Sequence, residues 1–348
     1  MLAAEVKDAQ YSAPAPCVAP YWERIIEPVK PFLAEVSQRL LDQVDSFDPS
    51  ISSYVQYAIS NQGKQLRPSL VALSAGCCGP LTEDHAQVAV IIEMVHLATL
   101  VHDDVIDEAE LRRGRPTMAA NWGNHLPVLV GDCLFAQALK LAATFPTPVV
   151  CRAVAAAANT VCTGEILQSQ GRGMPPSSRS EYFRILKMKT AELFALSCEM
   201  GAVLSQDGSN HQAALRAFGL QLGIAYQIYD DCVDLFGSET TAGKSLGTDL
   251  AKGKLTLPWL SAWERADSVE RAALCDFHEN GGSDHAEGLC SLLGKLHALE
   301  DSRAAIHKYL DDAHQSLAIL PQSDSLQALD NILDYLAVQA DKLHSVSS

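Results

Sequence analysis

The stretch Asp103-Asp104-Val105-Ile106-Asp107 decides both the fold and the chemistry of this sequence. The run before it, 88–102, is mostly apolar and contains no Gly or Pro, so it predicts a buried helix. If the helix continues, Asp103 and Asp107 share one face, and Asp104 lies about 100° round the axis. Carboxylates stacked in this way repel each other and lose hydration, so a divalent cation or the arginines that follow must compensate.

A second aspartate cluster, Asp230-Asp231-Cys232-Val233-Asp234, repeats the spacing after the apolar run 220–229. One such cluster is weak evidence, because acidic runs are usually solvated surfaces. Two clusters that each end an apolar helix are stronger evidence, because the two helices can present them to one cavity. Hard carboxylate oxygens that leave room for water and phosphate oxygens suit Mg2+. The pattern therefore predicts Mg2+ ions around a pyrophosphate.

The composition is that of an ordinary globular protein. The chain has 348 residues, of which 48% are hydrophobic and 20% are charged. Helical periodicity recurs along the chain and no strand-like alternation persists, so we predict an all-α fold. We expect a loose N-terminal arm over 1–20, where three prolines interrupt the pattern, and a single helical domain over 21–348.

Charge and cysteine usage narrow the functional classes. A net charge of −16 argues against a nucleic-acid partner, which needs a basic surface. The ten cysteines show no zinc-like spacing, which favours buried thiols in a reducing compartment. No uninterrupted apolar run has membrane-spanning length, and the N-terminus lacks the basic region of a signal peptide. We therefore expect a cytoplasmic protein without a transmembrane segment.

Basic residues occur where they are able to bind an anionic substrate. Lys64 and Arg67 are three residues apart, so a helical first turn brings both cations to one side. Arg112 and Arg113 follow the first aspartate cluster on a turn that contains Gly114. Each pattern fits either a solvated basic turn or a clamp in which Arg forks onto phosphate oxygens and Lys adds a point charge.

Three further features of the sequence each allow a structural and a functional interpretation. Lys189-Thr190 lies among apolar residues in the middle of a helix predicted from Ser180 to Leu204, which is unusual for a surface lysine. The loop that contains Lys244 and Lys254 is either a lid over a diphosphate or an ordinary surface loop, and it lacks Walker spacing. His96 fits a histidine at the edge of the core or a hydrogen-bond donor to a diphosphate.

In order along the chain, from about Gly63 to Pro258, these stretches resemble the trans-isoprenyl diphosphate synthases of the polyprenyl synthetase family. The resemblance implies an isoprenoid synthase-type all-α bundle around a central cavity, usually as a homodimer. It implies Mg2+-dependent condensation of isopentenyl diphosphate with an allylic diphosphate. The motifs that carry it are Gly63-Lys64-x-x-Arg67-Pro68, the first aspartate cluster with Arg112-Arg113, Lys189-Thr190, Gln227-x-x-Asp230-Asp231-x-x-Asp234, and Lys244 with Gly253-Lys254.

The resemblance also implies a role for each matching residue. Mg2+ would be bound by Asp103 and Asp107 from one side and by Asp230 from the other. The other residues expected to act in catalysis are Asp104, Asp231, Asp234 and Lys189. The residues expected to hold the allylic diphosphate are Arg112, Lys189, Thr190, Gln227, Lys244 and Lys254. Those expected to hold isopentenyl diphosphate are Lys64, Arg67, His96 and Arg113.

The residues below the first aspartate cluster set the predicted product length. About one helical turn before Asp103 lie Ala98 and Thr99, neither of which is aromatic, whereas the resemblance implies that short-chain relatives often have Phe or Tyr there. Small side chains leave volume for a growing tail, so we predict a medium or long chain of about six or more isoprene units. A short-chain farnesyl or geranylgeranyl diphosphate synthase is the alternative.

Three other functions are compatible with parts of the sequence. A terpene cyclase shares the first aspartate cluster and the fold, but its second metal motif is of another type, so the second cluster disfavours it. An HD-type phosphohydrolase would use His102-Asp103 and would need further metal-binding histidines. A non-catalytic helical partner of a heteromeric synthase is disfavoured by the two intact acidic motifs.

Overall fold

The computed structural model describes residues 19–60, 63–171, 178–206, 208–237, 253–280 and 286–344. Sixteen α-helices and one two-stranded hairpin, β1 (Leu111–Arg112) and β2 (Arg115–Pro116), form this part of the chain, so the predicted all-α class is confirmed. The helices are α1 (Ala19–Ile25), α2 (Lys30–Asp42), α3 (Ser52–Ser60), α4 (Leu66–Gly76), α5 (Glu83–Ile106), α6 (Met118–Trp122), α7 (His125–Ala142), α8 (Val149–Gln170), α9 (Arg179–Leu186), α10 (Glu192–Val203), α11 (Gln212–Phe236), α12 (Leu257–Arg265), α13 (Ser268–Asn280), α14 (Ala286–Lys295), α15 (Ala298–Leu317) and α16 (Asp324–Asp341).

Two long helices carry the aspartate clusters. Asp103 lies in the last turn of α5, and Asp230 lies two turns before the end of α11. α5 packs against α2, α4 and α7, and α11 packs against α10 and α15. Both helices are buried over most of their apolar residues, within one hydrophobic core that extends from Trp22 to Leu343. The apolar runs therefore become helices inside the bundle, as their composition predicts.

The helix predicted from Ser180 to Leu204 is interrupted in the structure. α9 ends at Leu186, α10 begins at Glu192, and a π-helical turn over Lys187–Ala191 joins them. Such a turn inserts one residue into the α-helical repeat and often occurs at functional sites. Lys189 and Thr190 lie in this turn. Hydrophobic periodicity does not reveal it, because both flanking segments remain helical.

Two helices pass a simple test for membrane spans. α7 and α8 are long and apolar enough to cross a membrane. Of α7, 39% of the residues are buried in the bundle, and 28% of an apolar 18-residue stretch of α8 are buried. Neither helix is a buried core helix throughout. The expected absence of a transmembrane segment therefore stays a prediction.

The predicted division into an arm and a domain is not resolved by the described residues. Most of the arm, 1–18, lies outside them, and α1 begins at Ala19. Within α1, the rings of Tyr21 and Trp22 lie 5.7 and 5.9 Å from the ring of Tyr335 in α16. The first described helix is thus packed onto the last one, and the boundary at residue 20 stays a prediction.

A glycine at the α10–α11 contact gives a test of the packing. A Cβ added to Gly219 would lie 2.5 Å from the carbonyl oxygen of Phe194, which is backbone and has little freedom to move. We expect Gly219→Ala to lower the free energy of unfolding by about 1–3 kcal/mol, as overpacking does. Urea unfolding measures this change.

Gly171 provides the matched control for this substitution. Its added Cβ would have no neighbour nearer than 3.6 Å, and its backbone is right-handed helical. We expect Gly171→Ala to leave the urea midpoint unchanged or slightly higher. Equal midpoints for Gly219→Ala and the unaltered protein would contradict the close helix contact.

Candidate active site

Both aspartate clusters line a single cavity of about 1870 Å³. Asp103 and Asp107 enter it from α5, and Asp230 enters it from α11. The two motifs are more than one hundred residues apart in the chain, so the fold alone brings them together. The condition on which the sequence interpretation depends, a hollow shared by the two clusters, is met.

Asp103 is held in the cavity wall close to other charges. Its carboxylate lies 3.7 Å from the Nζ atom of Lys189, and both side chains are largely buried. Burial raises the pKa of Asp103 to about 6, and the negative charges of Glu165 and Asp107 act in the same direction. Burial is the main cause of this shift, and among the neighbouring charges Lys189 opposes it most strongly, so Lys189 stabilises the ionised Asp103 carboxylate.

Lys189 is oriented by two residues of α8. Its Nζ atom forms an ion pair with the carboxylate of Glu165 and donates a hydrogen bond of 2.8 Å to the Oε1 atom of Gln168. Both partners line the cavity, and neither was predicted to be a site residue. Their signal in the sequence is a Glu and a Gln three residues apart at the end of an Ala-rich helix.

Only one aspartate of the second cluster, Asp230, lines the cavity. Asp231 is fully buried, and Asp234 is 2% exposed. The carboxylate of Asp231 accepts hydrogen bonds from the Tyr182 hydroxyl at 2.7 Å, from Gln227 Nε2 at 2.9 Å and from Lys254 Nζ at 3.3 Å. Asp231 therefore orients two of the predicted substrate-binding residues and does not itself face the cavity.

Gln227 links the two helices that face each other at this end of the cavity. Its Oε1 atom accepts a hydrogen bond of 2.9 Å from the hydroxyl of Thr190 in the π-helical turn. Its Nε2 atom donates a hydrogen bond of 2.9 Å to the carboxylate of Asp231, so both polar atoms of the amide are held in place. The sequence placed Thr190 and Gln227 in one binding set, and the structure shows them in direct contact.

The other end of the cavity contains the cations Lys64 and Arg67. The guanidinium of Arg67 lies 5.0 Å from the ring of Phe194, and its buried Nε atom has no hydrogen-bond partner. Burial lowers the pKa of Arg67, and it lowers the pKa of Lys64, whose Nζ atom lies 5.7 Å from the ring centroid of Tyr335. Buried polar groups in native proteins normally have partners. An anion bound here would supply the missing one.

Two further titratable groups lie beside these cations. Burial raises the pKa of Glu93, which is 5% exposed and faces Arg67 and Arg113. Burial lowers the pKa of His96 well below its usual value, and the positive charges of the same two arginines add to this effect. His96 is therefore a neutral hydrogen-bonding group. No role was predicted for Glu93, although a single Glu inside the apolar run 88–102 indicates a buried charge.

The two arginines after the first cluster are held differently. The Nε atom of Arg112 donates a hydrogen bond of 2.7 Å to the carboxylate of Asp104, which is buried beside the cavity. The guanidinium of Arg113 lies against Gly63, where an added Cβ would be 2.5 Å from Nη2. Arg112 thus belongs to the aspartate end, and Arg113 belongs to the end with Lys64 and Arg67.

The predicted site residues divide into three groups by position. Ala98, Asp104, Asp231 and Asp234 are buried and are not among the residues that line the cavity. Lys244 lies outside the described residues. The residues that line it are Lys64, Arg67, His96, Thr99, Asp103, Asp107, Arg112, Arg113, Lys189, Thr190, Gln227, Asp230 and Lys254.

The surroundings of His102 disfavour an HD-type hydrolase. Its Nε2 atom lies 3.0 Å from the carbonyl oxygen of Val128 and 3.5 Å from the carboxylate of Asp132, both in α7. Among the described residues, no three His, Cys, Asp or Glu side chains converge as a self-contained metal site. The additional metal-binding histidines that such a hydrolase needs are therefore not found in this part of the chain.

Comparisons with known proteins agree with this site. The chain is 35% identical to the all-trans-nonaprenyl-diphosphate synthase (geranyl-diphosphate specific) of Rhodobacter capsulatus over 88% of its own length and 95% of the relative. It is 32% identical to the octaprenyl diphosphate synthase of Escherichia coli over 92% and 99% of the two chains. A family model described as polyprenyl synthetase matches residues 48–293.

Solved structures give the same result. A decaprenyl diphosphate synthase from Rhodobacter capsulatus superimposes with a TM-score of 0.86 at 33% identity, covering 93% of this chain and 99% of that one. A polyprenyl synthase from Caulobacter crescentus, complexed with calcium and isoprenyl diphosphate, gives 0.85 at 32% identity, covering 91% and 97%. The predicted family and the isoprenoid synthase-type fold are confirmed. The chain belongs to the polyprenyl synthetase family.

Proposed function

We propose that this protein is a Mg2+-dependent trans-polyprenyl diphosphate synthase, which condenses isopentenyl diphosphate with an allylic diphosphate to give a medium or long chain. The observation that carries the proposal is a single cavity with two differently charged ends. Asp103, Asp107 and Asp230 line one end together with Lys189, and the positive side chains of Lys64, Arg67 and Arg113 line the other. Two diphosphates, one of them bridged through metal, match these two ends.

The donor groups at the aspartate end fit Mg2+. Asp103, Asp107 and Asp230 offer only carboxylate oxygens, which are the ligands that Mg2+ prefers, and they line the cavity without forming a closed ligand set. Mg2+ usually keeps positions for water and substrate phosphate oxygens, so an open set of this kind suits it. When bound, the ion would stabilise negative charge on the departing pyrophosphate.

The residues around these aspartates favour loss of the allylic pyrophosphate. Negative charge grows on that group as the allylic C–O bond breaks, and cations already fixed in place stabilise the charge most in the transition state. Lys189 is fixed by Glu165 and Gln168, Arg112 by Asp104 and Lys254 by Asp231. Because these partners hold the cations before substrate binds, little reorganisation is needed during the reaction.

The second diphosphate would bind at the other end of the cavity. Lys64, Arg67 and Arg113 supply positive charge there, and neutral His96 supplies a hydrogen bond. This placement would direct the terminal alkene carbon of isopentenyl diphosphate to bond with the allylic carbon as the allylic C–O bond breaks. The methylene carbon beside the former alkene then loses a proton to the departing pyrophosphate, which re-forms a double bond. Apolar side chains such as Leu193 and Phe194 line the space between the two ends and exclude water from the cation.

The path for the growing chain begins beside Thr99. Thr99 lines the cavity one helical turn below Asp103, whereas Ala98 is fully buried and outside the lining. The aromatic residues that line the cavity come from helices other than α5, among them Phe135 of α7. Thr99 is therefore the position at which the predicted dependence of chain length on side-chain size is best tested, and Ala98 stays a second candidate.

We also propose that the protein is a cytoplasmic homodimer with α7 and α8 at the interface. Apolar side chains on these two helices are exposed, among them Leu129 at 61% and Val149 at 45%. Covering them by the same helices of a second copy explains why both helices are apolar without being core helices. All nine cysteines of the described residues are free thiols, which suits a reducing compartment.

An activity assay tests the proposal directly. We expect the purified protein with Mg2+, labelled isopentenyl diphosphate and farnesyl or geranyl diphosphate to form products of about six or more isoprene units, and EDTA to abolish the activity. Asp103→Asn and Asp230→Asn should each lower kcat by about 100-fold or more, because one metal-binding oxygen is lost. Asp311→Asn, on the exposed surface of α15, is the matched control and should not change kcat.

Three outcomes of this assay would contradict the proposal in distinct ways. Hydrolysis without condensation would favour a phosphohydrolase, and a cyclic hydrocarbon product would favour a terpene cyclase. Activity that appears only when a second subunit is added would indicate a component of a heteromeric synthase. That possibility has a specific basis, since a relative 35% identical over 87% of this chain is the heptaprenyl diphosphate synthase component 2 of Bacillus subtilis.

The contact between Gly63 and Arg113 allows one cation to be displaced without disturbing the core. The atoms that a new Cβ would meet at Gly63 are the mobile end of the Arg113 side chain. We expect Gly63→Ala to raise the KM for isopentenyl diphosphate about tenfold and to leave the KM for the allylic diphosphate and the melting temperature nearly unchanged. Equal increases in both KM values would contradict the assignment of Arg113 to isopentenyl diphosphate.

Chain length is tested at the position below Asp103. We expect Thr99→Phe to shorten the products, because the ring would occupy cavity volume that the tail needs. Thr99→Val, which conserves the volume, is the matched control and should leave product length unchanged. Ala98→Phe should also shorten the chain, with an added loss of stability of about 1–3 kcal/mol from overpacking. Unchanged product lengths in Thr99→Phe would disprove the proposed tail path.

A further inference from the structure

The hairpin that carries Arg112 and Arg113 has a turn with an uncommon conformation. Leu111 pairs with Pro116 and Arg112 with Arg115, so Arg113 and Gly114 are the two central residues of the turn. Their φ angles are +54° and +74°, the pattern of a type I′ turn. This conformation is easy for glycine and unfavourable for a residue with a Cβ, so contacts elsewhere must hold Arg113 in it.

Three aromatic side chains behind the hairpin form a cluster that we call the aromatic clamp: Tyr54 and Tyr57 of α3 and Trp122 at the end of α6. The ring of Trp122 lies 5.2 Å from Tyr54 and 5.0 Å from Tyr57, with interplanar angles of 85° and 88°. Edge-to-face pairs of this kind are favourable. None of these three described side chains lines the cavity, so the clamp is distinct from the substrate-binding residues.

Tyr57 makes the contacts that fix the hairpin to the clamp. Its hydroxyl donates a hydrogen bond of 2.6 Å to the carbonyl oxygen of Pro116 and accepts one of 3.0 Å from Asn121. The guanidinium of Arg115 lies 4.8 Å from the centre of the Tyr57 ring, a cation–π distance. Both residues of β2 are thus bound to one tyrosine, which the helix α3 holds in place.

The ends of the hairpin are tied to each other as well. The hydroxyl of Thr117 donates a hydrogen bond of 2.6 Å to the carbonyl oxygen of Ala109, and its backbone N–H donates one of 2.9 Å to that of Glu110. The hairpin therefore keeps its own shape. The contacts of Tyr57 determine where the hairpin lies relative to the helices. They therefore also affect where the guanidinium of Arg113 lies relative to Gly63.

We infer that Tyr57 is a positioning residue for isopentenyl diphosphate and acts through the hairpin on Arg113. This inference rests on the proposed function. The Tyr57 hydroxyl holds β2 to α3, and a longer hydrogen bond of 3.3 Å from Arg115 Nη1 to the Ser60 hydroxyl adds to it. The position of β2 in turn sets the position of Arg113. Arg112 depends less on the clamp, because its Nε atom is bound separately to Asp104 of α5 at 2.7 Å. The binding of the two substrates should therefore respond differently to the loss of the Tyr57 hydroxyl.

The test removes that hydroxyl alone. Tyr57→Phe keeps the ring contacts with Trp122 and Arg115 and loses the hydrogen bond to Pro116. We expect a rise of about three- to tenfold in the KM for isopentenyl diphosphate, the size expected for one hydrogen bond, and a change below about twofold in the KM for the allylic diphosphate. Tyr54→Phe is the matched control, since the described structure shows no hydrogen bond to the Tyr54 hydroxyl, and its kinetics should be unchanged.

A double-mutant cycle separates positioning from a general loss of structure. If Tyr57 acts through Arg113, Tyr57→Phe will not raise the KM further in an Arg113→Gln background, but it will still raise it in a Lys64→Gln background. Additive effects with Arg113→Gln, or equal effects on both substrates, would overturn the inference. So would unchanged kinetics of Tyr57→Phe in an active protein, which leaves the proposed function intact. An unaltered protein with no condensation activity would overturn the proposed function and the inference together.

Discussion

The arrangement of this active site follows from the free energy needed to hold like charges in a partly buried cavity. A buried charge is tolerated only when it is paired and hydrogen-bonded. At the aspartate end each functional cation has such a partner, since Glu165 binds Lys189, Asp104 binds Arg112 and Asp231 binds Lys254. Two of the six aspartates in the clusters, Asp104 and Asp231, are therefore buried supports for cations.

The other end of the cavity is arranged differently. Lys64, Arg67 and Arg113 line it, and Glu93, whose pKa is raised by burial, faces the two arginines. Among these four side chains three carry positive charge and one is a carboxylate. One end therefore presents metal-binding carboxylates between fixed cations, and the other is completed by the charge of a bound anion. This difference is what allows one cavity to distinguish two diphosphates.

The sequence was sufficient for the parts of the structure that depend on local periodicity. The apolar runs before the two clusters predicted α5 and α11, and the four-residue spacing correctly placed Asp103 and Asp107 on one face with Asp104 turned away. The order of the motifs identified the family. The same spacing did not reveal that Asp231 and Asp234 are buried, because spacing within a helix does not show which face is covered by a neighbouring helix.

What the sequence did not predict depends on contacts between distant segments. The π-helical turn at Lys189 leaves the hydrophobic pattern unbroken on both sides, and the hydrogen bond from Tyr57 to Pro116 joins residues 59 positions apart. Neither leaves a periodic signal. Each strand of the hairpin has only two residues, which is too short for an alternation of apolar and polar side chains to be visible. Arg113-Gly114 is nevertheless a pair that a tight turn tolerates. Function here depends on these non-local supports as much as on the motif residues.

The distribution of charged residues explains how a strongly acidic chain binds anionic substrates. The chain contains 26 basic and 42 acidic residues, yet eight basic and seven acidic side chains line the cavity among the described residues. The excess of negative charge is therefore carried elsewhere on the protein, where water screens it. Three of the lining carboxylates, Asp103, Asp107 and Asp230, are the proposed Mg2+ ligands, and each bound ion would add two positive charges. The cavity then becomes strongly cationic only when metal is present, so metal binding and substrate binding must favour each other.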